Sequence, residues 1–378
     1  MTASAISPFV TESFQTQLDD LLYEVCEDLQ LSPTSFTKAE ERYKAVSSAL
    51  ESYDSPFRQA RLIIYPQGSM RLGTTVKPID GPHDLDFVCE LEVSHLQIDP
   101  LRLHDALFNF LLNHGTYKDM VSRKNRCVRI TYADEFYMDI LPACKDRQAG
   151  GTCIQVPDRA LKGWTPSNPI AYATWFEDCS NIALKQLAEK AFPIPAQRPV
   201  DRKKPLQLAV QLIKRWRNLY YDDPDLAPIS IVLTTLAAGF YKGEESVSAA
   251  LSSILTAIVE AISLADRRGE RLIVRNPKNP KENLSERWDE DHGAYTAFKQ
   301  GMRQFLDDWS NLPHTMPAVY NALEALFGEP VKRAFANQAQ RLQEARKANL
   351  LGIRSTGVIS SLATAAVPIR PNTFHGKR

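Results

Sequence analysis

The chain has 378 residues and carries no excess of charge of either sign, Lys plus Arg and Asp plus Glu numbering 45 each. A protein whose main work is coating nucleic acid would carry a basic surplus, so that class is disfavoured. Long apolar runs are missing too: residues 229–241 are too short to cross a bilayer, and residues 249–265 contain Glu260. The opening MTASAISPFV has no cationic start ahead of an apolar segment, so no signal peptide is expected. Cys26, Cys89, Cys127, Cys144, Cys153 and Cys179 show no C-x-x-C spacing. A zinc site or disulfide framework is therefore unsupported, and reduced thiols in a cytoplasmic protein are the expectation. Cys89 and Cys127, in strand-like runs, read as small buried hydrophobes. No internal repeat is present. What remains is 44% hydrophobic and 24% charged, the composition of an ordinary globular protein with room for two domains or one large one.

Periodicity divides the chain. Residues 12–30 carry Phe14, Leu18, Leu21, Leu22, Val25 and Leu29 at helical spacing, and residues 37–53 carry Ala39, Tyr43, Val46 and Leu50. Both helices are expected to brace a sheet from outside. Residues 61–66 and 85–91 read as strands, residues 100–114 as a helix, and residues 127–132 and 136–141 as an antiparallel hairpin closed by Pro142. The polar segment 145–169, rich in Gly and Pro, reads as a surface loop. Beyond it the pattern is helical over residues 170–192, 205–221, 228–241, 247–265, 294–312, 318–327 and 330–350. Residues 355–378, rich in Ser, Thr, Ala and Pro, read as a mobile tail. The division expected is 1–165, a sheet-bearing core with its bracing helices, then 166–354, a helical lobe, then the tail.

The chemistry concentrates in residues 67–90, QGSMRLGTTVKPIDGPHDLDFVCE. A Gly68-Ser69 turn follows an apolar strand, and Asp84 and Asp86 then stand one residue apart on the next. Side chains on a strand alternate, so both carboxylates share a face and can grip a hard cation. Magnesium takes oxygen ligands and keeps phosphate oxygens in its shell, so such a pair suits a bound triphosphate. Gly68 lets backbone N–H groups approach phosphate, and the Ser69 hydroxyl adds a donor. A third carboxylate, Asp139, alternates with Met138 and Ile140, which should face a core. The competing reading, three solvated carboxylates on polar strand faces, requires like charges to gather without a cation to compensate them.

Gly-Ser, then Asp-x-Asp, then a lone Asp on a later strand resembles the polymerase-beta-like nucleotidyltransferase superfamily. Within it, QGSMRLGTTVKP, HDLDFV and MDILPA look most like the CD-NTases, bacterial cyclic-oligonucleotide synthases of CBASS anti-phage systems. The resemblance covers roughly residues 60–290. It implies an α+β fold, a nucleotidyltransferase core of mixed sheet with helices, joined to a helical lobe, the active site lying in the cleft between them. It implies Asp84, Asp86 and Asp139 as catalytic residues holding two Mg2+ ions (Mn2+ being an alternative), and Gln67, Gly68 and Ser69 as nucleotide-binding residues. Lys214 matches a lysine that reaches the triphosphate in the family, and Ser230 matches a serine that contacts nucleotide.

For several of these positions two readings stay open. Lys214 and Arg217 lie off the apolar stripe of their helix, as phosphate ligands or as a solvated basic face. Ser230 is a nucleotide contact or an ordinary helix-start serine. Asn279 and Asn283 orient a base or cap the following helix. Arg123, Arg126 and Arg129 border an acceptor pocket or decorate a strand end, and His83 orients Asp84 or only fills a turn.

The activity implied is synthesis of a cyclic di- or oligonucleotide second messenger from ATP and other ribonucleoside triphosphates, with release of pyrophosphate. The partners implied are a downstream effector switched on by the product, regulatory proteins, and in some systems an enzyme that conjugates the synthase C-terminus. Neither a membrane nor nucleic acid is required. An RNA-tailing or CCA-adding transferase shares the carboxylate triad, and the neutral charge balance with no evident basic RNA-binding domain speaks against it.

Overall fold

The computed structural model describes residues 8–133, 135–180, 203–313, 315–355, 358–361 and 367–368. Seven strands among them form one sheet: β1 (Leu62–Pro66), β2 (His83–Ser94), β3 (Val121–Arg123), β4 (Val128–Tyr132), β5 (Phe136–Lys145), β6 (Ile154–Asp158) and β7 (Gly163–Ser167). The order is β1-β2-β5-β4-β3, with β6 added to β5 and β7 to β6. The central pair, β2 and β5, is parallel and every other pairing is antiparallel. This parallel register sets Asp86 directly opposite Asp139 and Asp84 opposite Tyr137.

Alternation along β2 and β5 then sorts the two faces of the sheet. Leu85, Phe87 and Cys89 join Met138 and Ile140 in one core, as expected of the residues flanking Asp139. That core is closed by α2 (Pro33–Leu50) and α4 (Pro100–Asn113). Tyr43 of α2 stacks on Phe87 with ring centroids 4.6 Å apart and donates its hydroxyl to the Ile64 carbonyl at 3.0 Å. A ring of that size, fully withdrawn from water, contributes about 1.5–3 kcal/mol. On the other face Tyr65, Val88, Ala143, Ile154 and Val156 form a smaller cluster, and the three carboxylates occupy the rest of it.

The helical part contains α5 (Pro169–Cys179), α6 (Pro205–Tyr220), α7 (Ser230–Phe240), α8 (Val247–Arg267), the short α9 (Arg287–Glu290), α10 (His292–Ser310), α11 (Met316–Phe327) and α12 (Glu329–Lys347). Within it lies a hairpin of β8 (Arg275–Asn276) and β9 (Asn279–Asn283), which the helical pattern did not reveal. By length and composition α8 is apolar enough to cross a membrane. Here its Leu251, Ile254, Leu255, Ile258 and Ile262 are wholly buried in the core of the helical lobe.

Several expectations are corrected. The first helix, α1 (Pro8–Asp28), does not brace the sheet: Leu18, Leu21, Leu22 and Val25 pack into the helical core, against α12, α8 and α6. Its stripe fixed that a face is buried but not against what. The Gly68-Ser69 turn is the start of a five-residue helix, α3 (Gly68–Leu72). Pro142 does not close β5, which runs on to Lys145. Pro142 lies between the last β4 partner, at Ile140, and the first β6 partner, at Cys144, where one flank of the strand is unpaired and a missing N–H is tolerated.

Segment 145–169 is not a plain loop, since it contains β6 and β7, held by buried Ile154 and Val156. The helix expected over residues 170–192 is α5 as far as Cys179, and its remainder lies outside the described residues. The expected tail contributes β11 (Ile359–Ser361) and β12 (Val367–Pro368), which flank β10 (Leu351–Ile353) in a small antiparallel sheet. Residues 369–378 lie outside the described residues.

Candidate active site

Backbone geometry fixes where the site begins. Gln67, at the end of β1, donates its N–H to the Asp86 carbonyl at 2.8 Å, which ties the start of α3 to β2. Gly68 follows with φ +58°, and a Cβ built there would lie 2.5 Å from Oδ2 of Asp86. Only glycine lets the chain turn so close to that carboxylate.

A polar row on α6 then docks the helical lobe onto the last residue of α3 and the residues that follow it. Gln207 Nε2 donates to the Leu72 carbonyl at 2.9 Å and Gln211 Nε2 to the Thr75 carbonyl at 2.7 Å. Lys214 Nζ donates to the carbonyl and hydroxyl of Thr74 at 3.2 and 3.1 Å. These residues recur at spacings of four and three, so they share one helix face. The opposite side of α6 buries Leu206, Leu208, Leu212 and Trp216. Lys214 is only 7% exposed, which excludes the solvated basic face for it.

The three carboxylates sit on the sheet across from this row. Burial, with Asp139 and Asp84 nearby, pushes the Asp86 carboxyl up to about 7. The cleft walls also raise Asp84 by desolvation, against the pull of Arg129, although its side chain stays 67% exposed and water still screens it. Burial brings the Lys214 ammonium down to about 7, with Asp86 acting in the opposite direction. Arg217 is likewise lowered by burial, and its Nε has no hydrogen-bond partner among the described residues.

Arg129 is the residue whose role the sequence did not settle. Its Nε and Nη2 donate to the two Asp139 oxygens at 2.7 and 2.8 Å, and Nη2 lies 3.5 Å from Oδ1 of Asp84. Its guanidinium also stacks 4.5 Å from the Tyr137 ring centre. It is therefore built into the carboxylate row rather than decorating a strand end, and β4 delivers it by facing Arg129 to Asp139 across the antiparallel pair. With Arg129 spanning Asp139, no three His, Cys, Asp or Glu side chains close into a ready metal cage among the described residues.

Two chambers meet at Gly68 and Asp86. The smaller, of about 240 Å³, is lined by Ser69, His83, Asp84, Lys214, Arg217 and Ser230 among others. The larger, of about 480 Å³, is lined by Gln67, Arg126, Trp164, Tyr172, Asn283 and Glu282 among others. Ser230 is the first residue of α7, after the N-cap Ile229, so it is a helix-start serine that also lines the smaller chamber. The His83 Nδ1 atom is buried without a partner among the described residues, and burial lowers its pKa. Asn283 accepts from the Ser285 N–H at 3.0 Å and donates to Asp289 at 3.1 Å, bracing the entry to α9 while also lining the larger chamber. Asn279 is buried at the start of β9 and lines neither chamber.

Sequence reasoning singled out Gln67, Arg126 and Asn283 of the larger chamber and missed most of the rest of its wall. Trp164 and Ser167 lie in the segment taken for a loop, where the alternation of Ile154 and Val156 was the available signal. Glu282 gave none, being an ordinary charged residue of a polar stretch.

A mixed sheet carrying paired aspartates, facing a helical lobe that offers buried cations across a glycine-started helix, defines a nucleotidyltransferase of the polymerase-beta-like fold. The comparisons with known proteins agree. The Second Messenger Oligonucleotide or Dinucleotide Synthetase domain matches residues 16–180. A c-di-GMP synthase of Roseivirga ehrenbergii is 33% identical over 376 residues, covering 97% of this chain and 99% of that protein. Cyclic dinucleotide synthase CdnG of Bradyrhizobium diazoefficiens is 31% identical over 76% of this chain and 74% of its own length. The solved structure of that CdnG in complex with GTP superposes with a TM-score of 0.71 at 27% identity, covering 85% of this chain and 98% of that one. Vibrio cholerae DncV, a cyclic AMP-GMP synthase, shares the fold with a TM-score of 0.53 at 12% identity over 86% of this chain and 92% of its own. The chain belongs to the CD-NTase family of cyclic-oligonucleotide synthases, and it is a nucleotidyltransferase.

Proposed function

We propose that this enzyme joins ribonucleoside triphosphates into a cyclic dinucleotide, with guanine nucleotide among its substrates. The observation that carries the reading is that Asp84 and Asp86 line one cleft together with Gly68, Lys214 and Arg217, with Asp139 next to Asp86 on the neighbouring strand. The names of the relatives, a c-di-GMP synthase and a CdnG bound to GTP, support the guanine assignment.

The donor set fits a hard divalent cation. All three side chains offer oxygens, and burial first, then the nearby Asp139 and Asp84 charges, raises Asp86, a cost that a cation between them would relieve. Asp84 and Asp86 would hold two magnesium ions, or manganese, with Asp139 sharing the one on the acceptor side. Bound there, the metal supplies charge neutralisation at the phosphates and activation of the attacking hydroxyl.

The chain's own residues do the rest. Lys214 has three donors and spends two on Thr74, leaving one for a phosphate oxygen. Arg217 has an Nε still unpaired among the described residues, and Ser69 and Ser230 add hydroxyls from opposite walls. The acceptor ribose hydroxyl attacks the donor α-phosphorus; a new P–O bond forms as the bond to pyrophosphate breaks, and the hydroxyl proton passes to the Asp139 carboxylate. A second transfer in the same cleft closes the ring. In this reading the enzyme works in the bacterial cytoplasm in anti-phage defence. Its product switches on an effector, and regulatory proteins or C-terminal conjugation govern its output.

The test is incubation with the four ribonucleoside triphosphates in magnesium buffer, with mass spectrometry of the products and measurement of pyrophosphate. A phosphatase-resistant cyclic product is expected, and it should vanish in the Asp84→Ala/Asp86→Ala double variant while the melting temperature holds. A long labelled polymer, or unchanged turnover by the double variant, would refute the reading.

A further inference from the structure

The larger chamber contains a group for which phosphate chemistry has no use. Glu282 on β9 lines it beside Trp164, Tyr172 and Leu284, and burial raises its carboxyl above the usual range. Its Oε1 accepts from the Ser167 hydroxyl at 3.0 Å and its Oε2 from Asn276 Nδ2 at 2.7 Å. Asn276 is itself fixed, accepting the Lys278 N–H at 2.9 Å. These two bonds orient the carboxylate, and each of its oxygens keeps a second lone pair.

Arg126 acts on Glu282 electrostatically but is held elsewhere, donating to Asp158 and to Glu286, each at 2.6 Å. No ion pair cancels the Glu282 charge among the described residues. The phosphates belong in the smaller chamber, where Lys214 and Arg217 lie beside the cation-binding pair Asp84 and Asp86; of the basic residues on the larger chamber's wall, Arg71 and Arg126 are held in ion pairs and Lys281 is exposed. What reaches the larger chamber from Asp86 is the other end of a nucleotide.

The geometry points to Glu282 as the residue that selects guanine. Guanine presents two adjacent donors on one edge, N1–H and the N2 amino group, and they match the two oxygens of one carboxylate. Adenine sets the lone pair of its N1 at that place, which a carboxylate repels. The apolar wall of Trp164 and Leu284 covers the flat ring, and Ser167 and Asn276 keep the acceptor atoms aimed. This inference rests on the reading of the cleft as a nucleotide site, but not on ring closure.

The experiment compares binding of the α,β-methylene analogues of GTP and ATP to the full chain by calorimetry, for wild type and Glu282→Gln. Wild type should prefer the guanosine analogue. The amide keeps the shape but gives up one acceptor and the charge, so guanosine affinity should fall about 10- to 100-fold while adenosine affinity moves less than about threefold. Glu282→Asp, which keeps the charge on a shorter arm, should retain part of the preference. Equal losses for both analogues would make Glu282 a strut between β7 and β9 and overturn the inference, as would a wild type with no guanine preference. A guanine preference in an enzyme that yields no cyclic product would instead sink the proposed function and leave this site standing.

Discussion

Replacing Gly68 by alanine separates two costs that usually arrive together. A non-glycine residue at φ +58° pays about 1–2 kcal/mol for the left-handed backbone wherever it stands. At Gly68 the new methyl would also sit 2.5 Å from Oδ2 of Asp86, closer than Cβ atoms are found, so the carboxylate must shift. A displacement near 1 Å in a reacting constellation costs about 100-fold in rate. Gly81 supplies the control, because its φ is +82° and a Cβ there meets nothing within 4 Å. Both Gly→Ala variants should lose about 1–2 kcal/mol in urea unfolding. Only Gly68→Ala should also lose about 100-fold in kcat, measured as pyrophosphate release at saturating nucleotide. Equal activities in the two variants would refute the view that close approach to Asp86 is what position 68 supplies.

Two further outcomes follow from buried polar groups. Burial lowers Lys203, 7% exposed, to about 8, whereas in the unfolded chain it titrates near 10.4. Between those values the unfolded state binds the extra proton, so this group makes stability rise with pH, by about 3 kcal/mol across the window. Lys203→Met should remove that rise and stabilise the protein at pH 7; a wild type whose unfolding midpoint follows the variant's from pH 7.5 to 10 would contradict it. Tyr65 donates its hydroxyl to the buried Glu90 carboxylate at 2.9 Å, so Tyr65→Phe should cost about 1.5–3 kcal/mol in chemical denaturation, and a loss under 0.5 kcal/mol would mean that Lys145 already satisfies Glu90.

Local pattern was enough to set the three carboxylates on the sheet face away from the apolar core. Asp84 and Asp86 share a face by strand periodicity alone, and Met138 and Ile140 around Asp139 announce which way that carboxylate points, because alternation is a property of the backbone and needs no partner. Gly68 was expected to let the backbone approach phosphate, and the structure adds that it lets the chain pass close to the Asp86 carboxylate. What local pattern does not carry is which surface meets which. The stripe on α1 is the same whether it covers a sheet or joins the helical core. The Gln207, Gln211 and Lys214 row looks like a solvated face until residues 72–75 arrive to accept its hydrogen bonds. Arg129 becomes part of the site only when β4 and β5 pair in one register, and Glu282 only when β7 and the β8–β9 hairpin close the same wall. Apart from the β4–β5 hairpin, which joins residues about ten apart, those decisions belong to long-range packing, since the free energy that settles them comes from surfaces brought together over more than a hundred residues of chain.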